Sequence, residues 1–307
     1  MSTSAPVVTI VGAGIAGAAC AVVLRDAGVS FRLVDRGRAV GGRMASPVLH
    51  DRRVDIGAGY FTVRDPEFEA LVARWEAAEL TRPWTDTFGV LSPGSDPGTS
   101  SGPMRWSTPG GLRSLVREML HDMPSHTEHI ASLPEGHVVL AMPDPQAARL
   151  APVPDAVRYS PVVTVVLGFD SLSLPFEHAA FVNDEPTVEF LAHDGARRGD
   201  DAPVLVVHTT PEFASAHLDD PEAAVAPTAQ AVFSLIGTPA PTWTHAHRWT
   251  FGKPADAHDA TYGSVDSDSG RVYFAGDQWC PTGSPRVESA WRSGTDLGRH
   301  LVDTVYR

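Results

Sequence analysis

Pro6-Val7-Val8-Thr9-Ile10-Val11-Gly12-Ala13-Gly14-Ile15-Ala16-Gly17, with the residues that follow as far as Asp35-Arg36, decides the fold. Residues 7–11 form an apolar run of strand length, and an apolar-striped helix candidate and a second strand come after the glycines. Gly12 permits a tight turn, Gly14 lets backbone approach a pyrophosphate, and Gly17 lets the helix pack close to the strand. Ala13, Ile15 and Ala16 lie where a helix N-terminus offers unpaired N–H groups to phosphates. Asp35, about 20 residues further on, is placed to take ribose hydroxyls, and an acid there disfavours a 2′-phosphate. The pattern predicts a dinucleotide-binding turn for the adenosine half of FAD or NAD, not of NADP. A turn that binds nothing would have to account for strand, glycines, helix, the stop at Gly28 and the acid together.

A chain of 307 residues exceeds the usual size of one hydrophobic core, so two domains with a ligand between them are expected. Apolar residues make up 43% of it and the mean hydropathy is −0.09, ordinary for a globular protein. With 24 basic and 37 acidic residues the net charge is −13, which opposes nonspecific binding to nucleic acid or anionic lipid. No apolar run of about 18 residues and no charged-then-apolar leader is evident, so the expectation is a cytoplasmic protein with no membrane contact. Cys20 and Cys280 are the only cysteines and read as structural thiols, with no metal site expected. Lys253 is the only lysine, so Schiff-base chemistry or a flavin-facing lysine would have to use that residue.

Outward from the fingerprint, Arg36-Gly37-Arg38-Ala39-Val40-Gly41-Gly42-Arg43 is a glycine and arginine loop. Arg36, Gly42 and Arg43 are candidates to close over a pyrophosphate. In Val54-Asp55-Ile56-Gly57-Ala58-Gly59-Tyr60-Phe61-Thr62 the glycines allow a planar ligand near the backbone at Gly57 and Ala58. A helix is expected from about 67 to 78, a mobile loop or hairpin tip over 92–103, and a helix capped by Thr108 and opened by Pro109. Residues 138–142 read as a buried parallel strand returning to the first sheet. From Tyr159 the pattern changes to strands, with one helix over about 221–236. The chain then regains the first domain through a strand ending in Gly276-Asp277 and a final helix over about 286–306.

The fingerprint, Gly41-Gly42-Arg43, and Tyr273-Phe274-Ala275-Gly276-Asp277 followed by a helix together resemble the FAD-dependent amine oxidase-like superfamily. Residues 55–62, Trp106 with Pro109-Gly110-Gly111, His247-Arg248-Trp249 with Pro254, and Arg286-Val287-Glu288-Ser289-Ala290-Trp291 resemble its bacterial renalase group. The matches run from residue 7 to about 303. The resemblance implies an α/β protein with a Rossmann-type, glutathione-reductase-like FAD-binding domain and a second, mixed-sheet α+β substrate domain. The expected division is 1–65, 107–150 and 264–307 for FAD, and 66–106 and 151–263 for substrate. It further implies that Asp277 holds the ribityl chain and that the last helix, near Val287, points its N-terminus at the pyrimidine end of the isoalloxazine.

The activity implied is hydride transfer from 2- or 6-dihydro isomers of NAD(P) to flavin N5, with O2 as acceptor and H2O2 as product. Such a donor regains aromaticity as hydride leaves, so no strong base is needed and no catalytic residue is assigned. Tyr60, Phe61 and Trp106 are candidates to sandwich a flat ring, and Arg286 to bind a carboxamide or phosphate oxygen. His247 shares a strand face with His245 and is a candidate substrate contact. Two departures are expected to matter: Gly59 stands where the group usually has glutamine, removing an amide, and residues 124–137 are too few for the usual strand and hairpin at the adenosine. The alternatives are an amine oxidase or other FAD-dependent dehydrogenase, and a nucleotide-binding protein with little catalysis. The pattern leaves the oligomeric state open.

Overall fold

The computed structural model describes residues 8–305; Val7 and Tyr306, expected in the first strand and last helix, lie outside them. The chain opens with β1 (Val8–Val11), α1 (Ile15–Asp26) and β2 (Phe31–Asp35), then β3 (Val48–Leu49), β4 (Arg52–Arg53), β5 (Phe61–Thr62) and α2 (Pro66–Ala77). Next come the hairpin of β6 (Arg82–Leu91) and β7 (Gly98–Ser107), α3 (Arg113–Met119), β8 (Ser125–Thr127), β9 (Val138–Ala141) and α4 (Asp144–Ala147). The middle carries β10 (Tyr159–Gly168), β11 (Ala179–Val182), β12 (Val188–His193), α5 (Asp194–Arg198), β13 (Val204–Thr209), α6 (Pro211–Ala216), α7 (Val225–Ile236) and β14 (Trp243–Pro254). It ends with β15 (Gly263–Ser267), β16 (Gly270–Ala275) and α8 (Val287–Val305).

Two large sheets divide these strands. The first has the order β15-β16-β9-β1-β2-β8, parallel throughout except at the β15 edge. All four residues of β1 are buried because both faces are covered. Val8 and Ile10 pack into the core shared with α1 and α8, while Val11 packs on the opposite side with Val34, Leu140 and Phe274. That double coverage explains why residues 8–11 read as a continuous apolar run instead of an alternating one. Helices α1 and α8 approach backbone to backbone: a Cβ on Gly294 would lie 1.9 Å from the Ala16 carbonyl oxygen. The opening and closing segments of the chain are therefore neighbours.

The second sheet has the order β14-β10-β13-β12-β11-β6-β7-β5 and is antiparallel except where β11 meets β6. Strand alternation gives it two faces. Val163, Val165, Leu205 and Val207 pack against Ala214, Ala224 and Val232, from α6 to α7. Val166, Phe190, Val206 and Phe88 face Ala45, Val54 and Ile56, the segment that leads away from the glycine and arginine loop. Together the two sheets give the two-domain α/β fold with mixed sheets that the sequence suggests.

Three local expectations change. The hairpin tip is short, residues 92–97, because the polar Gly98–Ser107 segment pairs with β6 as β7. Helix α3 starts at Arg113 instead of after Pro109, since Gly111 takes φ +85°, outside the helical region. Helix α2, capped by the Asp65 carboxylate accepting from Glu67 N and Phe68 N, belongs to the core of the first sheet, where Phe68 and Trp75 are buried, not to the substrate part. After Met123 the adenosine-side strand is present as β8, paired in parallel with β2, while no hairpin follows it before β9.

Candidate active site

The fingerprint glycines have three different physical reasons. A Cβ on Gly12, at φ +114°, would meet the Ala141 carbonyl oxygen at 2.3 Å, and one on Gly17 would meet the Gly12 carbonyl oxygen at 1.9 Å. A Cβ on Gly14 would meet nothing within 4 Å. Open space thus lies beside the N-cap residue of α1, where a pyrophosphate would approach the free N–H groups of the first turn. Asp35, at the end of β2, accepts from Ala13 N at 2.7 Å and from Gly37 N at 2.6 Å, so it braces the turn. Ile15 and Ala16 are buried in α1, and Arg36 and Gly42 are exposed.

The glycine and arginine loop is tied to both ends of the chain. Gly41 N donates to the Ala13 carbonyl at 2.8 Å, and Ala58 N donates to the Arg43 carbonyl at 2.8 Å. The Arg43 guanidinium makes a fork with Asp277, Nη2 to Oδ1 at 2.6 Å and Nη1 to Oδ2 at 2.9 Å. Burial alone would lower the Arg43 pKa, but the charges and hydrogen bonding of Asp277 and Tyr159 together outweigh it and the net direction is upward. Arg43 also lies over the Tyr159 ring, 5.6 Å from its centroid. The Tyr159 hydroxyl is buried without a well-formed hydrogen bond, and burial together with the Asp277 charge raises its pKa. At Gly57 a Cβ would lie 2.0 Å from the Arg43 carbonyl oxygen, so only glycine lets the 57–58 segment pass this close.

Asp277 follows the turn after β16, and its carbonyl accepts from Ser289 Oγ at 3.2 Å, which places it against the first turn of α8. Val287 opens that helix, half-buried against the first core, and Arg286 N donates to Ser289 Oγ at 2.8 Å. The Arg286 side chain turns back to the Ser284 carbonyl at 2.9 Å. Glu288, buried, accepts from Arg64 N at 2.7 Å and from Asp65 N at 2.5 Å, fixing the helix start to the entry of α2.

The three aromatic candidates separate. Tyr60 faces the second sheet, edge-on to Phe88 at 5.2 Å and near Phe190 at 6.2 Å, with the Arg105 guanidinium 5.7 Å above its ring. Phe61, one residue later, points the other way into the first core against Phe68, and is 2% exposed. Burial there makes it a packing residue and not the substrate contact that its sequence position suggests. Trp106, half-buried, stacks on Phe61 at 6.3 Å and follows it to that side. His247 lies on β14 opposite Thr164, edge-on to Trp249 at 4.5 Å, and Trp249 Nε1 donates to the Ile56 carbonyl at 2.8 Å. Burial and the neighbouring charges of His245 and Arg248 lower the His247 pKa.

Several residues of the site carry no sequence motif. Asp55 is a buried hub: it takes hydrogen bonds from Ser46 Oγ, from Leu112 N at 2.8 Å and from Arg198 Nη2 at 3.1 Å. Arg197, fully buried, donates to the Gly59 carbonyl at 3.0 Å and to Asp194 Oδ1 at 2.5 Å. Asp194 also binds Arg52 and Arg198. Burial alone would raise the Asp194 carboxyl, yet Arg197 and Arg198 pull it to about 2. This network ties α5 to the 55–59 segment. His208 of β13 faces Gly57; burial, and then the charges of Lys253 and Arg197, push its pKa to about 3, and its Nε2 is buried without a hydrogen-bond partner. Its position opposite Thr164 and Phe190 puts it on the same face as His247.

Among the described residues no group of histidine, cysteine, aspartate and glutamate is arranged to hold a metal ion, and no helix is long and apolar enough to cross a membrane. Cys20 is buried in α1, which pushes its thiol up to about 12. A separate cleft of about 310 Å³ in the second domain is lined by Phe176, His178 and His193 and shares none of the residues above.

Residues 10–75 match the family model for an NAD(P)-binding Rossmann-like domain. The mouse protein renalase is 25% identical over 299 residues, covering 80% of this chain and 84% of its own. The crystal structure of cyclohexylamine oxidase from Brevibacterium oxydans IH-35A superposes with a TM-score of 0.74 at 13% identity, over 99% of this chain and 100% of that one. Putrescine oxidase bound to putrescine gives a TM-score of 0.70 at 15% identity, over 98% and 99%. In sequence the chain resembles renalase, and in fold it is a two-domain α/β protein of the kind seen in these flavin amine oxidases.

Proposed function

We propose that the protein is an FAD-dependent oxidase that accepts hydride from 2- or 6-dihydro isomers of NAD(P). The observation that carries this reading is the pairing of an open dinucleotide cradle at Gly14 with an aromatic-lined sheet face opposite Gly57. FAD fits the residues present: Gly14 leaves room for its pyrophosphate, Asp35 stands at the ribose, and the Arg43–Asp277 fork with the orphan Tyr159 hydroxyl supplies polar groups further along. When bound, the flavin supplies a hydride acceptor at N5 and returns the electrons to O2 as H2O2.

The chain's own residues bind, orient and exclude water. The first turn of α8 would offer the positive end of its dipole to a bound flavin, worth about 0.3–2 kcal/mol to an anion depending on burial. Tyr60, held by Phe88, Phe190 and Arg105, supports a flat ring against the Gly57–Gly59 backbone. The two histidines facing this space, His208 and His247, both have lowered pKa values, so near neutral pH they are hydrogen-bonding groups without charge. A donor that rearomatises on losing hydride needs no more than that. Small amines are the competing substrate class. Anaerobic mixing of the yellow protein with 2- and 6-dihydro-NAD isomers, NADH and a panel of amines tests the reading: rapid loss of absorbance near 450 nm is expected with the isomers, and bleaching by amines alone would overturn it.

A further inference from the structure

Lys253, the only lysine among 24 cationic residues, stands at the end of β14 opposite Ser160. Its neighbours on both sides serve the Arg43 site: the Gly252 carbonyl accepts from Arg43 Nη1 at 3.3 Å, and Pro254 pairs with Tyr159, the ring under Arg43. The Lys253 ammonium forms an ion pair with Glu189 of β12, although β10 and β13 lie between their strands. Glu189 sits at the register shift between Val188 and Phe190, where the ladder to β13 is interrupted. His208 lies on β13, one of the two strands that the pair spans, opposite Phe190, the residue next to Glu189.

The other cations near this face are committed to buried or backbone acceptors. Arg43 is forked to Asp277, Arg197 holds Asp194 and the Gly59 carbonyl, Arg198 holds Asp55 and Asp194, and Arg105 holds the Asp86 carbonyl. Lys253 differs, since its side chain is 50% exposed and that of Glu189 is 25% exposed. An ion pair so open to water contributes little to stability and is readily exchanged. An ammonium on a flexible stem is also a good point-charge receptor for phosphate.

We propose that Lys253 receives an anionic phosphate of the nucleotide substrate and that Glu189 holds it as a displaceable counter-ion. This rests on the dihydronicotinamide reading above and names the part of that substrate which confers affinity. The nicotinamide ring then meets Tyr60 while the phosphate draws Lys253 away from Glu189.

The holoenzyme tests this by anaerobic stopped-flow reduction with three forms of the 6-dihydro isomer: riboside, mononucleotide and dinucleotide. In the wild type the mononucleotide is expected to bind about tenfold more tightly than the riboside. Lys253→Met should collapse that ratio to near one, Lys253→Arg should keep most of it, and Glu189→Gln should keep or enlarge it. A Lys253→Met protein that retains the full ratio overturns the inference, as does a wild type that binds all three forms alike. Failure of all three, and of the corresponding 2-dihydro forms, to bleach the wild-type flavin removes the parent reading and this inference with it, whereas bleaching without discrimination removes this inference alone.

Discussion

The Arg43 guanidinium and the Asp277 carboxylate, 234 residues apart in sequence, form a two-bond fork at 2.6 and 2.9 Å. One comes from the loop after β2 and the other from the turn before α8, so the fork closes the site between the two ends of the chain. Removing Asp277 leaves Arg43 half-buried beside Tyr159 without its counter-charge. Asp277→Ala is expected to weaken flavin retention by at least tenfold, since a hydrogen bond to a charged group is worth about 1.5–3 kcal/mol. Arg286→Ala, whose side chain bonds only the nearby Ser284 carbonyl, should retain flavin and mainly slow its reduction. Flavin content after gel filtration compares the two, and the reverse ranking contradicts the placement.

The fingerprint glycines offer a sharper contrast. Gly17→Ala drives a methyl into the Gly12 carbonyl and should lower stability by about 1–3 kcal/mol, several degrees in Tm for a chain of this size. Gly14→Ala meets no protein atom and should fold with an unchanged Tm while losing FAD affinity. Thermal melts of the flavin-free proteins, set beside FAD titrations, separate packing from binding. Equal Tm losses would mean that no cradle exists at Gly14.

His208 makes stability depend on pH. Its folded pKa, about 3, lies below the unfolded value near 6.5, so between these values the unfolded chain binds the extra proton. Stability is therefore full above about pH 6.5 and falls as the pH drops toward 3, by up to about 1.4 kcal/mol per pH unit for one proton. Denaturant midpoints at pH 7.5 and 5 should differ less in His208→Gln than in the wild type. Asp194 acts at a more acid range: its folded pKa of about 2 lies below the usual 3.8, so its contribution is lost as the pH falls from the unfolded value through about 2.

Arg197 ties α5 to the 55–59 segment. Arg197→Met should cost about 3–5 kcal/mol, because Asp194 and the Gly59 carbonyl lose a buried partner. Urea unfolding of the variant measures it. A loss below about 1 kcal/mol would show that the network reorganises around Arg52 and Arg198.

The glycines, Asp35 and the closing helix were legible because each is bound by a local rule: a φ sign, a missing Cβ, a 3.6-residue stripe. The Asp194-Gly195-Ala196-Arg197-Arg198 segment reads locally as a charged surface turn, and only the tertiary partners Asp55 and Gly59 bury it. Alternation along a strand says that Tyr60 and Phe61 diverge, but which one meets the cleft depends on α2 and its Phe68. Residues 98–103 lack apolar side chains and looked like loop; the partner strand β6 supplies what the local sequence does not. His208 is a single histidine in an apolar strand, and its unpaired Nε2 is visible only with the sheet face assembled.

The central claim, a flavin that takes hydride from dihydronicotinamide isomers, is tested most directly by anaerobic rapid mixing of the purified protein with 2- and 6-dihydro-NAD, and with amines for comparison, while following absorbance near 450 nm. Bleaching within seconds, followed by recovery and one H2O2 per cycle on admitting O2, is the expected result. A protein that stays yellow with both isomers yet is bleached by an amine, or that binds no flavin when FAD is supplied, contradicts it.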